Sequence, residues 1–199
     1  MSVPVLHLLA GPNGAGKSTF VSYILQPENP LLPIVNADAI AAERWPDSQA
    51  EHAYEAARIA AAARQELLES RSSFITETVF SHPSKVDLLD DALRRGYLVY
   101  LHVIMVPLAA ALSRVAFRAE HGGHGVPAEK VRARYDRLWA LVAQARSFAD
   151  VTDFFDNSKS ESPFRLVAKY DRGRLVGQSD WPTWTPEDLR LDLPPGIIE

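Results

Sequence analysis

The sequence predicts an α/β fold of three layers, in which a mainly parallel β-sheet is covered by helices on both faces. Short apolar runs alternate with longer amphipathic segments along most of the chain, which is typical of strand–helix–strand units in a parallel sheet. The first apolar run ends in a glycine-rich loop that leads directly into a helical pattern. The length of 199 residues matches a single domain of ordinary size.

Five apolar runs are predicted to form the parallel strands. The first is continuous and ends at a glycine, as a strand buried on both faces does. The fourth is the best candidate for a central strand, because its ten residues are mostly β-branched, aromatic or aliphatic. The predicted strands are Val3–Leu9, Pro33–Asn36, Phe74–Thr78, Tyr97–Val106 and Val151–Asp156.

The segments between the strands are predicted to be helical. The longest is rich in alanine, glutamate, arginine and leucine, which favour helix, and Ser48 with Glu51 has the spacing of a capping box at its start. Gly96 closes one helix, and Pro127 opens another after the glycine- and histidine-rich loop His121–Val126. The predicted helices are Lys17–Leu25, Ala39–Glu43, Ser48–Ser70, Ser84–Arg95, Leu108–Ala119 and Pro127–Ala149.

The alternation stops after the fifth predicted strand. Two short runs, Phe164–Tyr170 and Arg174–Gln178, flank an Asp-Arg-Gly turn and therefore predict a β-hairpin. The tail from Asp180 contains two tryptophans and four prolines, and we expect it to lie extended against the same domain. The predicted organisation is a core of residues 1–160 with a lid at about residues 119–134, followed by a C-terminal hairpin and tail at residues 161–199.

The composition excludes several classes of function. The chain has no cysteine, which excludes disulfides, zinc–thiolate sites, iron–sulfur clusters and a thiol nucleophile. Its 21 Lys and Arg against 25 Asp and Glu give a net charge of −4, whereas non-specific nucleic-acid binding needs a positive surface. No run reaches the roughly 18 apolar residues of a membrane span. We therefore expect a cytoplasmic protein that binds neither nucleic acid nor membrane.

The glycine-rich loop carries the strongest functional signal. It satisfies the pattern G-x-x-x-x-G-K-[ST] between a strand and a helix, and its glycines let backbone N–H groups point at a phosphate. Lys17 can reach the β- and γ-phosphates, and the Ser18 hydroxyl can ligate Mg²⁺. The sequence thus predicts a site for ATP and Mg²⁺ formed by Gly11, Pro12, Asn13, Gly14, Ala15, Gly16, Lys17, Ser18 and Thr19.

Missing motifs narrow the class of nucleotide-binding protein. The chain has no Asn-Lys-x-Asp sequence, with which GTPases read guanine, and no apolar strand that ends in an Asp-Glu pair, as motor ATPases have. A small-molecule kinase remains, and such an enzyme needs a base near the nucleotide and arginines that close over the phosphates.

Asp38 is the candidate general base. It follows the second predicted strand, so it lies at the carboxyl edge of the sheet, where ligands bind in open α/β folds. There its carboxylate could accept the proton of a hydroxyl that attacks the γ-phosphoryl group of ATP. The alternative is that Asp38 caps the helix Ala39–Glu43, and the two roles are compatible.

The candidate lid contains several arginines. Arginines that close over the transferred phosphoryl group stabilise the charge of its transition state, although a solvated helix face is an equally good explanation for any single one. His121 and His124 lack a third ligand nearby, so a metal site there is disfavoured. The candidate lid arginines are Arg114, Arg118, Arg132, Arg134 and Arg137.

Together these residues resemble the zeta-toxin family of P-loop kinases, many members of which phosphorylate UDP-N-acetylglucosamine. The resemblance covers about residues 3–157. Beyond the glycine-rich loop, the motifs that carry it are Val35-Asn36-Ala37-Asp38 followed by Trp45-Pro46, then Ile75-Thr76-Glu77-Thr78, Arg95-Gly96-Tyr97, Val106-Pro107, and Arg118 eleven residues beyond that proline.

Three departures from the family pattern lie on the substrate side. Glu77 and Thr78 are adjacent, without the glycine that the family has between them. Trp45 stands where the family has a histidine before proline. The family's second lid arginine is replaced at its position by His124, so its charge would have to come from Arg132 or Arg134.

The resemblance implies transfer of the γ-phosphoryl group of ATP to a hydroxyl, with UDP-N-acetylglucosamine as the leading acceptor, and it implies an antitoxin protein as a partner. A kinase of another small nucleotide, sugar or antibiotic hydroxyl remains an alternative. So does an ATP-binding module with weak chemistry that contacts a protein partner. The implied roles are Asp38 as base, Lys17 and Arg118 with Arg132 or Arg134 on the phosphates, Ser18 on the metal, and Asn36, Asp38, Glu77 and Thr78 facing the acceptor.

Overall fold

The structure, a computed structural model, describes residues 3–121 and 125–190. These residues form one sheet of seven strands in the order β2-β3-β1-β4-β5-β6-β7. The first five strands pair in parallel, and the last two are antiparallel, which confirms the mainly parallel α/β fold and the C-terminal hairpin. The strands are β1 Val5–Ala10, β2 Ile34–Asn36, β3 Phe74–Glu77, β4 Leu98–Met105, β5 Val151–Asp156, β6 Arg165–Asp171 and β7 Arg174–Leu175.

Helices follow most of the parallel strands, as the alternation of patterns predicts. A π-helical turn at Val21–Leu25 continues the first helix into the second. No helix of the described part of the chain is long and apolar enough to cross a membrane. The helices are α1 Lys17–Phe20, α2 Gln26–Glu28, α3 Ala37–Arg44, α4 Ala53–Glu69, α5 Ser84–Arg94, α6 Leu108–Glu120, α7 Ala128–Arg146 and α8 Glu187–Arg190.

The core lies on both faces of the sheet. Leu6 and Leu8 of β1 are fully buried in the larger cluster, which includes side chains of α4, α5 and α7. Leu9 and Ile104 belong to a second cluster on the other face, with Phe20 of α1. Because both faces are covered, the strands are apolar almost throughout, which explains why the sequence shows runs rather than alternation.

The strand order brings three carboxyl ends together. Leu9 of β1 and Asn36 of β2 both pair with Glu77 of β3. The loop after β1, the start of α3 and the loop after β3 therefore leave the sheet side by side. This edge is where open α/β folds bind ligands.

The predicted start of the longest helix is wrong. α4 begins at Ala53 and not at Ser48. The Ser48 hydroxyl lies 3.1 Å from the ring of His52, and that ring stacks on Trp45 at 4.6 Å. These contacts hold residues 45–52 in turns ahead of the helix. α3 is longer than predicted by two residues at its start, and α7 ends three residues early, at Arg146.

The tail is not simply extended. It contains α8, in which Leu189 is fully buried. The Leu189 carbonyl accepts a hydrogen bond of 2.9 Å from Arg146 of α7. Trp181 packs edge-on against Phe154 of β5 at 5.0 Å. Residues 180–190 thus contact the body of the protein. The last nine residues of the predicted tail, 191–199, lie outside the described part of the chain.

Candidate active site

The loop between β1 and α1 needs its glycines because neighbouring backbone approaches it closely. A Cβ atom on Gly11 would lie 2.3 Å from the carbonyl oxygen of Ile104. A Cβ atom on Gly14, which has a φ of 78°, would lie 2.8 Å from the carbonyl oxygen of Ala111. Only residues without a side chain fit here, so β4 and α6 together fix the path of the loop.

Lys17 lies buried at the bottom of this loop. Its exposed fraction is 7%, and its Nζ donates a hydrogen bond of 3.0 Å to the carbonyl of Pro12. Burial lowers the pKa of Lys17, and the carboxylates of Glu77 and Asp38 oppose that shift. The ammonium group thus lies near two negative charges.

Glu77 links the loop to the neighbouring strand. The Ser18 hydroxyl lies 3.0 and 2.9 Å from its two carboxylate oxygens, and Asn36 donates to one of them at 2.8 Å. The Asn36 side-chain oxygen in turn accepts from the backbone N–H of Asp38 at 2.8 Å. Asn36 is therefore the N-cap of α3, and the alternative that Asp38 caps this helix is wrong.

Asp38 is left free for a ligand. It lies in the first turn of α3, where a negative charge interacts favourably with the helix dipole. Its side chain is exposed and accepts no hydrogen bond within the described residues. A carboxylate at this position can accept a proton without first breaking another contact.

Two cavities meet at these residues. We call the first the P-loop cleft: it has about 230 Å³ and is lined by the glycine-rich loop with Arg114 and Arg118. We call the second the α4 cleft: it has about 300 Å³ and lies between α4 and the segment that follows β3. Both clefts are lined by Asn13, Lys17, Asp38 and Glu77.

The arginines divide between the clefts and the surface. Arg118 lines the P-loop cleft. Arg134 lines the α4 cleft and donates to the Asn13 side chain at 3.4 Å. Arg132 lies instead on an apolar groove between α6 and α7. Of the two candidates for the second lid arginine, the structure therefore brings Arg134 to the site and leaves Arg132 away from it.

The sequence profile of the Zeta toxin family matches residues 2–174. The chain belongs to the zeta toxin family. The match spans the sheet through β6, both clefts and the arginines that line them. No curated protein matches the chain.

Several solved structures share the fold of this chain. The complex of AvrRxo1-ORF1 with AvrRxo1-ORF2 matches with a TM-score of 0.68 and 18% identity, over 87% of this chain and 60% of that one. A chain of the PezAT toxin–antitoxin system of Streptococcus pneumoniae matches with a TM-score of 0.60 and 14% identity, over 85% of this chain and 72% of that one. A gluconokinase from Sinorhizobium meliloti 1021 matches with a TM-score of 0.53 and 17% identity, over 80% of this chain and 86% of the gluconokinase. The chain spans about 60% of the length of the first of these.

The remaining predicted site residues of this zeta toxin family member lie in one of the two clefts or outside the described part of the chain. Thr78 lines the α4 cleft, and its hydroxyl accepts a hydrogen bond from the N–H of Phe80 at 3.2 Å. Thr19, on the exposed face of α1, lines the P-loop cleft. His124 lies outside the described residues, within which no group of three or more His, Asp or Glu could hold a metal ion.

Sequence reasoning missed several residues of the site. Asn157, after β5, donates to the Ala15 carbonyl at 2.8 Å and so braces the loop. Arg64 and Lys85 line the α4 cleft. Arg64 could have been noticed in the sequence, because it continues a stripe that recurs every four residues and is buried in α4: Ala56, Ala60, Arg64 and Leu68. An arginine on such a stripe is unusual.

Proposed function

We propose that this protein is an ATP-dependent kinase that phosphorylates a hydroxyl of a small molecule, with UDP-N-acetylglucosamine as the acceptor. The observation that carries the proposal is that the two clefts meet at Lys17, Asp38 and Glu77. A triphosphate in the P-loop cleft and a hydroxyl in the α4 cleft would approach each other there. Membership of the zeta toxin family supports both the reaction and the acceptor.

The nucleotide side uses the loop and its basic neighbours. Backbone N–H groups of the loop and the Lys17 ammonium would hold the phosphates, and Arg118 faces them from α6. The Ser18 hydroxyl and the Glu77 carboxylate are hard oxygen donors about 3 Å apart, which fits Mg²⁺. When bound, this ion would neutralise charge on the phosphates.

The acceptor side uses Asp38. Its carboxylate would accept the proton as the acceptor oxygen forms a bond to the γ-phosphorus and the bond from that phosphorus to the β–γ bridging oxygen of ATP breaks. Arg118 and Arg134 would stabilise the charge on the equatorial oxygens. Asn36, Glu77 and Thr78 all line the α4 cleft and would face the acceptor from the carboxyl ends of β2 and β3.

The test is transfer of labelled γ-phosphate from ATP–Mg²⁺ to a panel of acceptors, with UDP-N-acetylglucosamine first. Asp38→Asn should lower transfer at least ~100-fold, as loss of a positioned base does, while ATP affinity stays within about twofold because the P-loop is intact. Asp47→Asn is the matched control, since Asp47 is exposed and lines neither cleft.

Each outcome of this assay has a different consequence. Label on another acceptor would keep the kinase and replace its substrate. No label on any acceptor, despite ATP binding, would favour the alternative that the protein is an ATP-binding module with weak chemistry. Transfer that is equal in Asp38→Asn and in the wild type would refute Asp38 as the base.

We also propose that a protein antitoxin binds this kinase and that it works in the cytoplasm. The AvrRxo1-ORF1 and PezAT structures are of a two-protein complex and of a toxin–antitoxin system, and both share the present fold. Co-purification of the tagged chain with the product of a neighbouring gene, together with loss of kinase activity in that complex, is the expected result.

A further inference from the structure

The glycine-rich loop between β1 and α1, the P-loop, is held from outside by two side chains from distant parts of the sequence. A phosphate-binding loop turns backbone N–H groups inward, so its carbonyl groups point outward and need donors of their own. Arg114 of α6 donates to the Gly14 carbonyl at 3.4 Å. Asn157, which follows β5, donates to the Ala15 carbonyl at 2.8 Å. Two successive carbonyls of the loop are thus bonded to side chains of other elements.

These two side chains are also connected to each other. A second nitrogen of the Arg114 guanidinium donates to the Asn157 carbonyl at 2.9 Å. The Asn157 N–H donates at 2.9 Å to the carbonyl of Met105, the last residue of β4. Arg114 and Asn157 therefore form one hydrogen-bonded unit that is anchored on the sheet, and we call it the loop bracket.

Asn157 fits closely against the loop. Its exposed fraction is 9%, and its side-chain oxygen accepts a hydrogen bond of 3.4 Å from the N–H of Phe164, so both ends of the amide are used. A Cβ atom on Gly16 would lie 2.6 Å from the Asn157 side-chain nitrogen. The absence of a side chain at Gly16 therefore leaves the space that Asn157 occupies, and the shape of the loop depends on both residues.

Arg114 differs from Arg118, which lies one turn further along the same helix. Both arginines line the P-loop cleft. Arg118 is exposed and donates no hydrogen bond within the described residues, so its guanidinium is available to a ligand. Arg114 is half-buried, and its planar, forked guanidinium is already bonded to two carbonyl groups. A lysine ammonium has no such fork.

We propose that Arg114 and Asn157 are positioning residues that hold the P-loop in its phosphate-binding conformation before a nucleotide arrives. The inference rests on the proposed function only in assigning the P-loop to a nucleotide. A loop that is ordered in advance loses less conformational entropy when its ligand binds. The bracket therefore raises nucleotide affinity through the loop backbone, and the charge of Arg114 is not what the nucleotide needs from it.

The first measurement is made on the free protein. The Ala15 N–H is bonded to the Pro12 carbonyl at 3.1 Å, so its hydrogen exchange, followed by NMR, reports how often the loop opens. Asn157→Leu and Arg114→Lys should each speed this exchange ~10-fold, because each removes hydrogen bonds that hold the loop. The amide of Leu101, in the middle of β4, should be unaffected. Equal acceleration at Ala15 and Leu101 in both variants would mean that these residues support the whole fold, and it would overturn the proposal.

The second measurement separates position from charge. It is calorimetry on the whole chain with Mg²⁺ and a non-hydrolysable ATP analogue. Arg114→Lys keeps the charge but loses the fork, so it should weaken binding ~10-fold, about as much as Arg114→Met, because the binding-competent loop is less populated. Arg58→Met is the matched control, since Arg58 is exposed on α4 and lines neither cleft, and it should bind like the wild type.

The kinetics of phosphotransfer should show the same division. The KM for ATP should rise with the loss of affinity, whereas kcat should stay within about threefold, because the loop adopts the same conformation once ATP is bound. Arg114→Met combined with Asn157→Leu should weaken binding by less than the product of the two single effects, because breaking either part of the bracket already frees the loop.

Two results of the binding experiments would overturn the loop bracket. Wild-type affinity in Arg114→Lys, with weakened binding in Arg114→Met, would mean that the charge acts directly on the phosphates. Single effects that multiply in the double variant would mean that the two residues act separately.

Transfer of labelled γ-phosphate by the wild type separates failure of the bracket from failure of the proposed function. Faster exchange confined to the loop in both variants, without transfer to any acceptor by the wild type, would keep the bracket and remove the kinase. Transfer by the wild type, with unchanged exchange of the Ala15 amide in both variants, would keep the kinase and remove the bracket.

Discussion

His102 should make the fold sensitive to acid. It lies on β4 with an exposed fraction of 6%, and its Nε2 is 3.1 Å from Nδ1 of His7 on β1. Its Nδ1 is buried without a hydrogen-bond partner in the described part of the chain. Burial, with the charges of His7 and Lys169, lowers the pKa of His102 from 6.5 to about 3.

The sign and size of the effect follow from proton linkage. Below pH 6.5 the unfolded chain takes up a proton at this residue, but the folded chain does not until about pH 3. The contribution of the neutral His102 ring to the unfolding free energy is therefore fully present above pH 6.5, and it is lost as the pH falls towards 3. Between pH 7 and pH 5 this single residue should cost about 2 kcal/mol of unfolding free energy.

The variant His102→Phe should abolish that share of the acid sensitivity. A phenylalanine ring suits the site because His102 already packs against Phe20 at 5.8 Å and Phe155 at 6.5 Å. The assay is urea unfolding of both proteins at pH 7 and at pH 5. Each protein is compared with itself, so any packing cost of the larger ring cancels.

The comparison also controls for the neighbours of His102. Burial raises the pKa of Asp153, its partner on β5, and burial lowers the pKa of His7. Both groups are present in the two proteins, but His7 loses its hydrogen-bond partner in His102→Phe, so the difference between the proteins reports the coupled pair of His102 and His7. An equal loss of unfolding free energy in both proteins between pH 7 and pH 5 would refute the reasoning.

Two further predictions concern the lid and the tail. Arg134→Met should lower kcat ~100-fold, because the arginine stabilises charge in the transition state. Arg132→Met is the control, since Arg132 lies two residues away on α7 and outside both clefts, and it should leave kcat unchanged. Equal effects of the two substitutions in a phosphotransfer assay would contradict the assignment. Leu189→Ala should lower the unfolding free energy by about 2–5 kcal/mol, the cost of a cavity at a fully buried leucine. Calorimetry should still show a single unfolding transition, shifted to lower temperature. A main unfolding transition at the wild-type temperature would mean that residues 180–190 are a separate unit.

Features set by neighbouring residues were predictable from the sequence. The glycine-rich loop, its strand and its helix lie within one short segment, and the backbone conformation that phosphate binding needs excludes most residues other than glycine. Gly96 after α5 and the turn before β7 were predictable for the same reason, since each needs a positive φ: 78° at Gly96 and 73° at Gly173. Such positions can be located without knowledge of the rest of the fold.

Features set by distant contacts were not predictable in the same way. Ser48 has the spacing of a helix cap, but Trp45 stacks on His52 and the helix starts after that contact. The tail forms α8 because Leu189 finds a buried position beneath α7. Its prolines indicate extended chain, and four helical residues are too few to produce a periodic pattern.

The choice between Arg132 and Arg134 lies between these cases. Val131 and Leu138 are buried positions of α7, and Arg134 is three residues after one and four before the other, which places it on the same face. Arg132 is displaced from that face by more than a quarter turn. The sequence contained the information, but only the fold shows that this face of α7 meets the α4 cleft.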